Sequence, residues 1–533
     1  VAETLTRIAE TAGAVIHAPG GAEVCGDVEV SGVDLVSDRL NEGDLFAALP
    51  GTHTHGAVFA AETPAAAILT DAAGAGILRE AGETRPVLEV ADVRAVLGDV
   101  AAELYGHPSR GFTVIGVTGT SGKTTVSYLV EAGLMAAGAK VGLIGTTGTR
   151  IDGRKIPTSL TTPEAPTLQA LFRRMADEGV THLVMEVSSH ALALRRVLGV
   201  DFDVAGFTNL SQDHLDFHPT MEDYFQAKAL LFDPASPMSA HRAVVCVDDD
   251  WGARMAGLCP DTLTVATHGQ AGDVTVGEVT AAADGSQDFE LTISDAAPRG
   301  VHLPLPGAFN VANASLAIAL AERCGVDLDR FIAGLGGVSV PGRMQRVDRG
   351  QDFIAVVDYA HKPGALAEVL DTLDHQVDGR VAVVLGAGGE RDHSKRPLMG
   401  AEAAKGADLV VVTDDNPRDE DPAPIRAAVV EGARGVTGGR ATEIREIGSR
   451  REAIRAAVAW ARPGDAVIVA GKGHETGQLV RGVTHPFDDR EELAAALEAR
   501  ADGTRADETR ADAPDAAGSA DAPDAADVKE NDR

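Results

Sequence analysis

The chain has 533 residues, 44% of them hydrophobic and 24% charged, which suits about three globular domains at roughly 150 residues each. A formal net charge of −33 excludes nucleic acid and anionic membrane as favoured partners, because a polyanion is repelled. No apolar run reaches the roughly 18–20 residues of a membrane span, and Cys25, Cys246, Cys259 and Cys324 lie too far apart for a disulfide framework or a zinc site.

Residues 1–18 carry an early acidic residue and no basic stretch before an apolar one, unlike an export signal, so a cytoplasmic location is expected. The sequence alternates β-like apolar runs with helical stretches, without a short-period repeat, and predicts an α/β fold of three domains. The boundaries are expected at Gly106-His-Pro-Ser-Arg110 and Ser339-Val-Pro-Gly342. They give an N-terminal α/β domain over 1–108, a central phosphate-loop domain with a parallel sheet over 109–340, and a C-terminal Rossmann-like domain over 341–500. From 501 onward the chain lacks aromatic residues and nearly all large aliphatics, the composition of a disordered acidic tail.

At the start of the central domain a strand is predicted over 112–117 and a helix over 126–136. Between them stands Gly119-Thr-Ser-Gly-Lys-Thr-Thr125. A glycine-rich turn between strand and helix lets backbone N–H groups close on phosphate oxygens, with Lys123 reaching the outer phosphates and Thr124 offering a hydroxyl to Mg²⁺. Only nine lysines occur in the chain, and five of them (Lys123, Lys228, Lys362, Lys395, Lys472) fall in motifs of this kind.

Further along, the apolar run 183–187 carries Met185-Glu-Val-Ser-Ser-His190. The run 204–207 leads to Asn209-Leu-Ser-Gln-Asp-His-Leu-Asp216, and Tyr224-Phe-Gln-Ala-Lys-Ala-Leu-Leu-Phe232 reads as helix. Glu186 and His214 thus follow strands, at the edge where open α/β sheets build sites, and are candidate Mg²⁺ ligands. In the C-terminal domain four apolar runs each end in a polar segment. These are Asp358-Tyr-Ala-His-Lys-Pro363, Gly388-Gly-Glu-Arg-Asp392, Asp415-Asn-Pro-Arg418 and Gly471-Lys-Gly-His-Glu475. All four are expected at one edge of a parallel sheet.

Taken together, GTSGKTT, MEVSSHAL, TNLSQDHLDFH, YFQAKALLF and these C-terminal segments resemble the Mur ligase family, which joins amino acids to a UDP-muramoyl carrier. The resemblance spans about residues 25–495 and includes Gly342-Arg-Met344 and His393-Ser-Lys-Arg-Pro397. It implies an ATP-dependent carboxylate–amine ligase of peptidoglycan synthesis that forms an acyl phosphate and adds diaminopimelate to a UDP-muramoyl dipeptide. It further implies a monomer with ATP as co-substrate and Mg²⁺ as cofactor.

For the nucleotide, the resemblance implies Gly119, Thr120, Ser121, Gly122, Lys123, Thr124, Thr125, Asn310, Asn313, Arg343, Asp358 and His361. For the metal it implies Thr124, Glu186, His214 and Lys228 as a carbamate, with Lys123, Lys228, Glu186 and His214 catalytic. For the carrier it implies Ser37, His55, Gly56, Thr161, Thr162, Ser188 and Arg196. For diaminopimelate it implies Arg391, Asp415, Asn416, Pro417, Arg418, Gly471 and Glu475. The sequence departs from the family at Val36-Ser37-Asp38, where Asp-Ser-Arg is frequent, at Leu194, which replaces a polar contact, and at Glu390 in place of Asp. Competing readings are the lysine-adding ligase, folylpolyglutamate synthetase and, from another class, a phosphate-loop switch or motor ATPase.

Overall fold

The structure is a computed structural model and describes residues 2–18, 28–158, 160–282, 285–390 and 392–511. Three main sheets define a three-domain α/β protein. The first has five strands in the order Val15–His17, Val87–Val90, Ala67–Asp71, Asp44–Ala48, Gly32–Asp34. All its pairs are parallel except the first. Helices Leu5–Ala12 and Arg94–Leu104 cover one face through Leu5, Ile8, Leu97 and Val100.

The central sheet has eleven strands. Its core runs parallel from Val141–Gly145 through His182–Glu186, Thr113–Thr118, Val204–Phe207, Arg242–Cys246 and Thr262–Ala266 to Val274–Ala281. The predicted parallel sheet is therefore extended rather than complete. Antiparallel strands Gly148–Ile151 and Arg154–Ile156 add one edge, and Gln287–Ile293 and Arg299–Leu303 add the other. Short turns allow such hairpins, whereas parallel neighbours need long crossovers.

Alternating side chains of the parallel strands feed two cores, which is why these strands read as unbroken apolar runs. Ile115, Val117, Val184 and Val244 pack with helices Lys123–Ala136 and Ala308–Arg323. Val114, Leu183, Met185 and Phe207 pack on the other face with Leu168, Phe172, Tyr224 and Phe225. Register places Glu186 beside Val117 and Phe207 beside Thr118, so three chain segments leave the sheet at one edge, where strand order reverses. That crevice is where open α/β sheets bind ligands.

In the third sheet Ile354–Asp358, Ala466–Ala470, Val381–Leu385, Leu409–Val412 and Glu443–Glu446 are parallel neighbours, with Gln345–Arg346 antiparallel at the edge. The four predicted apolar runs lie side by side, so their polar segments emerge together. One expectation needs correction at the C-terminus. Helix Asp489–Ala511 continues past 501, where a disordered tail was expected. Ala, Arg and Glu in 501–511 favour helix propagation, and a helix already nucleated on a packed turn extends at little cost. The remainder of the expected tail, 512–533, lies outside the described residues.

That helix is anchored by Leu493, Ala494, Ala496 and Leu497 in the core and by a fully buried ion pair. Arg450 Nε and Nη2 donate to the two Asp489 carboxylate oxygens at 2.7 Å each, and Arg450 Nη2 also donates to the Ala470 carbonyl at 2.8 Å. Removing one partner leaves an uncompensated buried charge, so Asp489→Ala is expected to cost about 3–5 kcal/mol. Denaturant unfolding checks this, and a loss under about 1 kcal/mol, the range of exposed pairs, would contradict it.

Candidate active site

The phosphate loop leaves strand Thr113–Thr118 and enters helix Lys123–Ala136 with Gly122 as N-cap, at φ 87° and without a side-chain cap. The first N–H groups of that helix, together with its dipole, form an anion site. Behind them, the loop is fixed to the segment that follows strand Val204–Phe207. Thr120 N donates to Asn209 O at 2.9 Å, Ser121 N to Asn209 Oδ1 at 3.0 Å, and Thr208 Oγ1 to Ser121 O at 2.6 Å. The phosphate-facing amides therefore begin after Ser121.

Lysine side chains surround the loop. Lys123 Nζ donates to Gly119 O at 2.8 Å and Thr120 O at 3.0 Å, and Lys228 Nζ donates to Gly119 O at 2.9 Å from a buried position over the Tyr224 ring. Burial, with Lys362 nearby, pushes Lys123 down to about 8. Burial, with Lys123 and Lys362 nearby, holds Lys228 well below the usual lysine value. A low dielectric disfavours an ammonium, and like charges add to the effect.

Glu186, at the end of its strand, is buried. It accepts from Thr124 Oγ1 at 3.0 Å, Thr146 N at 2.9 Å and Thr146 Oγ1 at 2.9 Å. His214 has a left-handed backbone, φ 54°, and lies 4.8 Å from His190, ring to ring. Its imidazole is pushed down to about 3 by burial, although Asp213 opposes the shift. It is thus neutral, the form that ligates a metal. Asn313 Nδ2 donates to Asn310 Oδ1 at 3.1 Å, and Asn310 to Pro306 O at 2.7 Å.

The C-terminal sheet closes this crevice. Arg343 Nη2 donates to Thr124 Oγ1 at 3.2 Å and its guanidinium stacks over Tyr359. Asp358 accepts from Met344 N at 2.6 Å and Ala360 N at 2.7 Å, and burial raises its carboxyl above the usual value. His361 is pushed down to about 3 by burial, with Lys362 and Lys395 nearby.

A cavity of about 710 Å³ joins Thr120–Thr125, Glu186, His214, Asn310, Asn313, Arg343, Asp358 and His361 with Thr161, Thr162, Ser188 and Arg196. Most of the predicted nucleotide and carrier residues thus share one space. Thr162 Oγ1 ties the group by donating to Glu186 O at 2.8 Å and accepting from Ser188 N at 3.1 Å. Gly119 and Lys228 lie behind the lining. Ser37, His55 and Gly56 are not part of it; His55 instead accepts from Ala57 N and contacts Asp71 at 3.1 Å.

The residues expected at diaminopimelate form a second network at the neighbouring strand ends. Lys472 Nζ donates to Asn416 Oδ1 at 2.8 Å and lies 3.4 Å from Asp415, while Asn416 Nδ2 donates to Glu475 Oε2 at 2.9 Å. Arg418 has φ 53°. Hairpin Gly477–Val480/Val483–Pro486 holds it there through Arg418 N to Leu479 O at 3.0 Å and Arg481 N to Arg418 O at 2.8 Å. Tyr359 lines the cavity and has ring contacts to His361 and His474. Arg391 lies outside the described residues. Sequence reasoning missed Thr146, His190, Asp213 and Lys362 among the lining residues. His190, Asp213 and Lys362 stood inside noticed motifs, but nothing local indicated that Asp213 and Lys362 meet.

This fold and cavity define a protein of the phosphate-loop class in which one cavity is shared between two sheets. Family models describe residues 117–321 as Mur ligase middle domain and 342–473 as Mur ligase, glutamate ligase domain. The chain is 62% identical over 482 residues to a UDP-N-acetylmuramoyl-L-alanyl-D-glutamate–2,6-diaminopimelate ligase of Corynebacterium glutamicum, covering 89% of this chain and 93% of the relative. It is 48% identical to the Streptomyces coelicolor protein of the same name, covering 90% and 94%. A solved structure of a ligase so named superposes with TM-score 0.64 at 32% identity, covering 94% of this chain and 100% of that one. The chain belongs to the Mur ligase family.

Gly119 has φ 141°, and a Cβ there would lie 1.9 Å from Thr208 Oγ1. Gly119→Ala is therefore expected to displace the loop and destabilise the fold by more than about 1 kcal/mol. ADP affinity measured by calorimetry should fall at least roughly tenfold; unchanged affinity would show that the loop tolerates the displacement.

Proposed function

We infer that the chain is an ATP-dependent ligase that adds 2,6-diaminopimelate to UDP-N-acetylmuramoyl-L-alanyl-D-glutamate. The observation that carries this reading is the 62% identity to the Corynebacterium ligase over nearly the whole of both chains. The shared cavity and the adjoining Arg418 network supply a matching chemical environment. A switch or motor ATPase would leave the second network without a role.

Forming an amide from a carboxylate requires activation, here by transfer of the γ-phosphoryl group of ATP to give an acyl phosphate that the amine then attacks. Two anions must meet, so the residues serve chiefly to position them and to neutralise charge. Lys123 and the start of helix Lys123–Ala136 bind the phosphates; Asn310 and Asn313 lie on the adenine side. Arg343, Asp358 and His361 close the site and exclude water, which protects the acyl phosphate from hydrolysis. Thr161, Thr162, Ser188 and Arg196 orient the carrier.

Mg²⁺ fits the donors present, because Thr124 and Glu186 place hard oxygens 3.0 Å apart beside a neutral His214. Among the described residues no group of three or more His, Cys, Asp and Glu side chains is assembled for a metal. Mg²⁺ commonly completes its shell with waters and substrate phosphates. Thr124, Glu186, His214 and carbamylated Lys228 would hold it, and it would supply charge neutralisation between the anions. The depressed Lys228 amine suits carbamate formation, since only the neutral amine attacks CO₂.

Carrier and amine should both be required for phosphate release, with diaminopimelate preferred over lysine; release without them would overturn the ligase reading. Lys228→Ala is expected to lower kcat by about 100-fold with little change in Tm, because the residue serves the site rather than the core. Recovery with short carboxylic acids would be the mark of the missing carbamate, and a near-native rate would remove its role.

Diaminopimelate carries a distal carboxylate that lysine lacks, and a planar guanidinium grips a carboxylate with two bonds. Arg418→Ala is expected to cost roughly 2–5 kcal/mol, or about 30- to several thousand-fold in kcat/KM for diaminopimelate. ATP affinity should barely change, and Arg418→Lys should restore only part of the loss. Retained preference for diaminopimelate over lysine in Arg418→Ala would exclude this role.

A further inference from the structure

Lys362 reaches the phosphate loop from the C-terminal sheet. It follows strand Ile354–Asp358 and precedes Pro363 at the start of helix Pro363–Asp374. Pro363 fixes φ at the first helical position, which stiffens the presentation of Lys362. The side chain is buried and its Nζ donates to Thr120 O at 3.0 Å. It also lies 2.8 Å from Asp213 Oδ2. The residue also lines the cavity.

Two features set Lys362 apart from an ordinary interdomain ion pair. Its acceptor, Thr120 O, is the carbonyl that Lys123 Nζ also uses at 3.0 Å, so two cations converge on one loop oxygen. Its carboxylate partner, Asp213, immediately precedes His214 and reaches the ammonium from the segment that follows strand Val204–Phe207, which orients the side chain. A phosphoryl oxygen is a stronger acceptor for an ammonium than a neutral carbonyl, since charge-assisted bonds are roughly twice as strong.

We propose that Lys362 is a catalytic residue that exchanges the Thr120 carbonyl for the transferring phosphoryl group, with Asp213 as its positioning partner. Because it is delivered by a different domain from the phosphate loop, its charge reaches the reaction only when the two domains are together. Phosphoryl transfer is thereby coupled to closure, as with other cations supplied to phosphates from a separate element.

The inference rests on the ligase reading, and the full-length chain separates the two. Wild-type protein must first release phosphate in a carrier- and diaminopimelate-dependent manner; without that, the ligase reading falls irrespective of Lys362. In active protein, Lys362→Ala is expected to lower kcat on the order of 100- to 1,000-fold. Affinity for a non-hydrolysable ATP analogue should fall at least about tenfold while that for ADP stays within about threefold, and Lys362→Arg should recover part of kcat. A kcat within about threefold of wild type would overturn the proposal. So would equal losses of ADP and analogue binding, the result expected of a merely structural pair. If circular dichroism shows that Lys362→Ala does not fold, Lys362→Gln is judged by the same measurements.

Discussion

The side-chain nitrogens of Lys123, Lys228 and Lys362 converge on two neighbouring carbonyls, those of Gly119 and Thr120. In a chain of net charge −33 this is a local inversion of the overall field, and it is built from side chains withdrawn from water. Glu186 and Asp213 offset part of the charge. Mutual repulsion and desolvation make the cluster costly when empty, and a triphosphate with an incoming carboxylate is the kind of ligand that relieves the cost. The electrostatics of the site thus favour bringing two anions together, the hard part of the proposed reaction.

The cluster exists because two sheets face each other. Arg343 to Thr124 and Lys362 to Thr120 and Asp213 are contacts between central and C-terminal sheets. Within the C-terminal domain, glycines bring the linking segment against the loop after strand Ala466–Ala470. Gly342 has φ 64°, and a Cβ there would lie 2.2 Å from the Gly473 carbonyl carbon. Two segments more than a hundred residues apart are therefore glycine for one reason, that their backbones touch. Position at strand ends does the rest, since parallel register brings Glu186, Thr118 and Phe207 to one edge.

Much of this was legible in the residues. The phosphate loop was readable because strand, turn and helix lie within a few dozen positions, and each has its own local signature. Glu186, His214 and the four polar segments of the C-terminal sheet were readable because apolar runs mark strands and strand ends mark ligand edges. The antiparallel additions to the central sheet were less legible, since Gly148–Ile151 and Gln287–Ile293 show mixed burial rather than a continuous apolar run. The helical extension to Ala511 was misread because composition reports what a segment can bury alone, and not that a packed turn upstream has already met the cost of nucleation.

By itself the sequence determined the α/β class, the phosphate loop and the chemistry available at each strand end, because periodicity and turn chemistry are short-range properties. It also supplied the family resemblance that the relatives bear out. The tertiary structure alone decided which of these groups meet. It joined most of the residues expected at the nucleotide and the carrier in one cavity, tied Arg418 to the hairpin after Gly477, and set Lys362 against Thr120. Those pairings depend on how two packed sheets come together, and that geometry is fixed by complementary surfaces far apart in the chain rather than by any local pattern of residues.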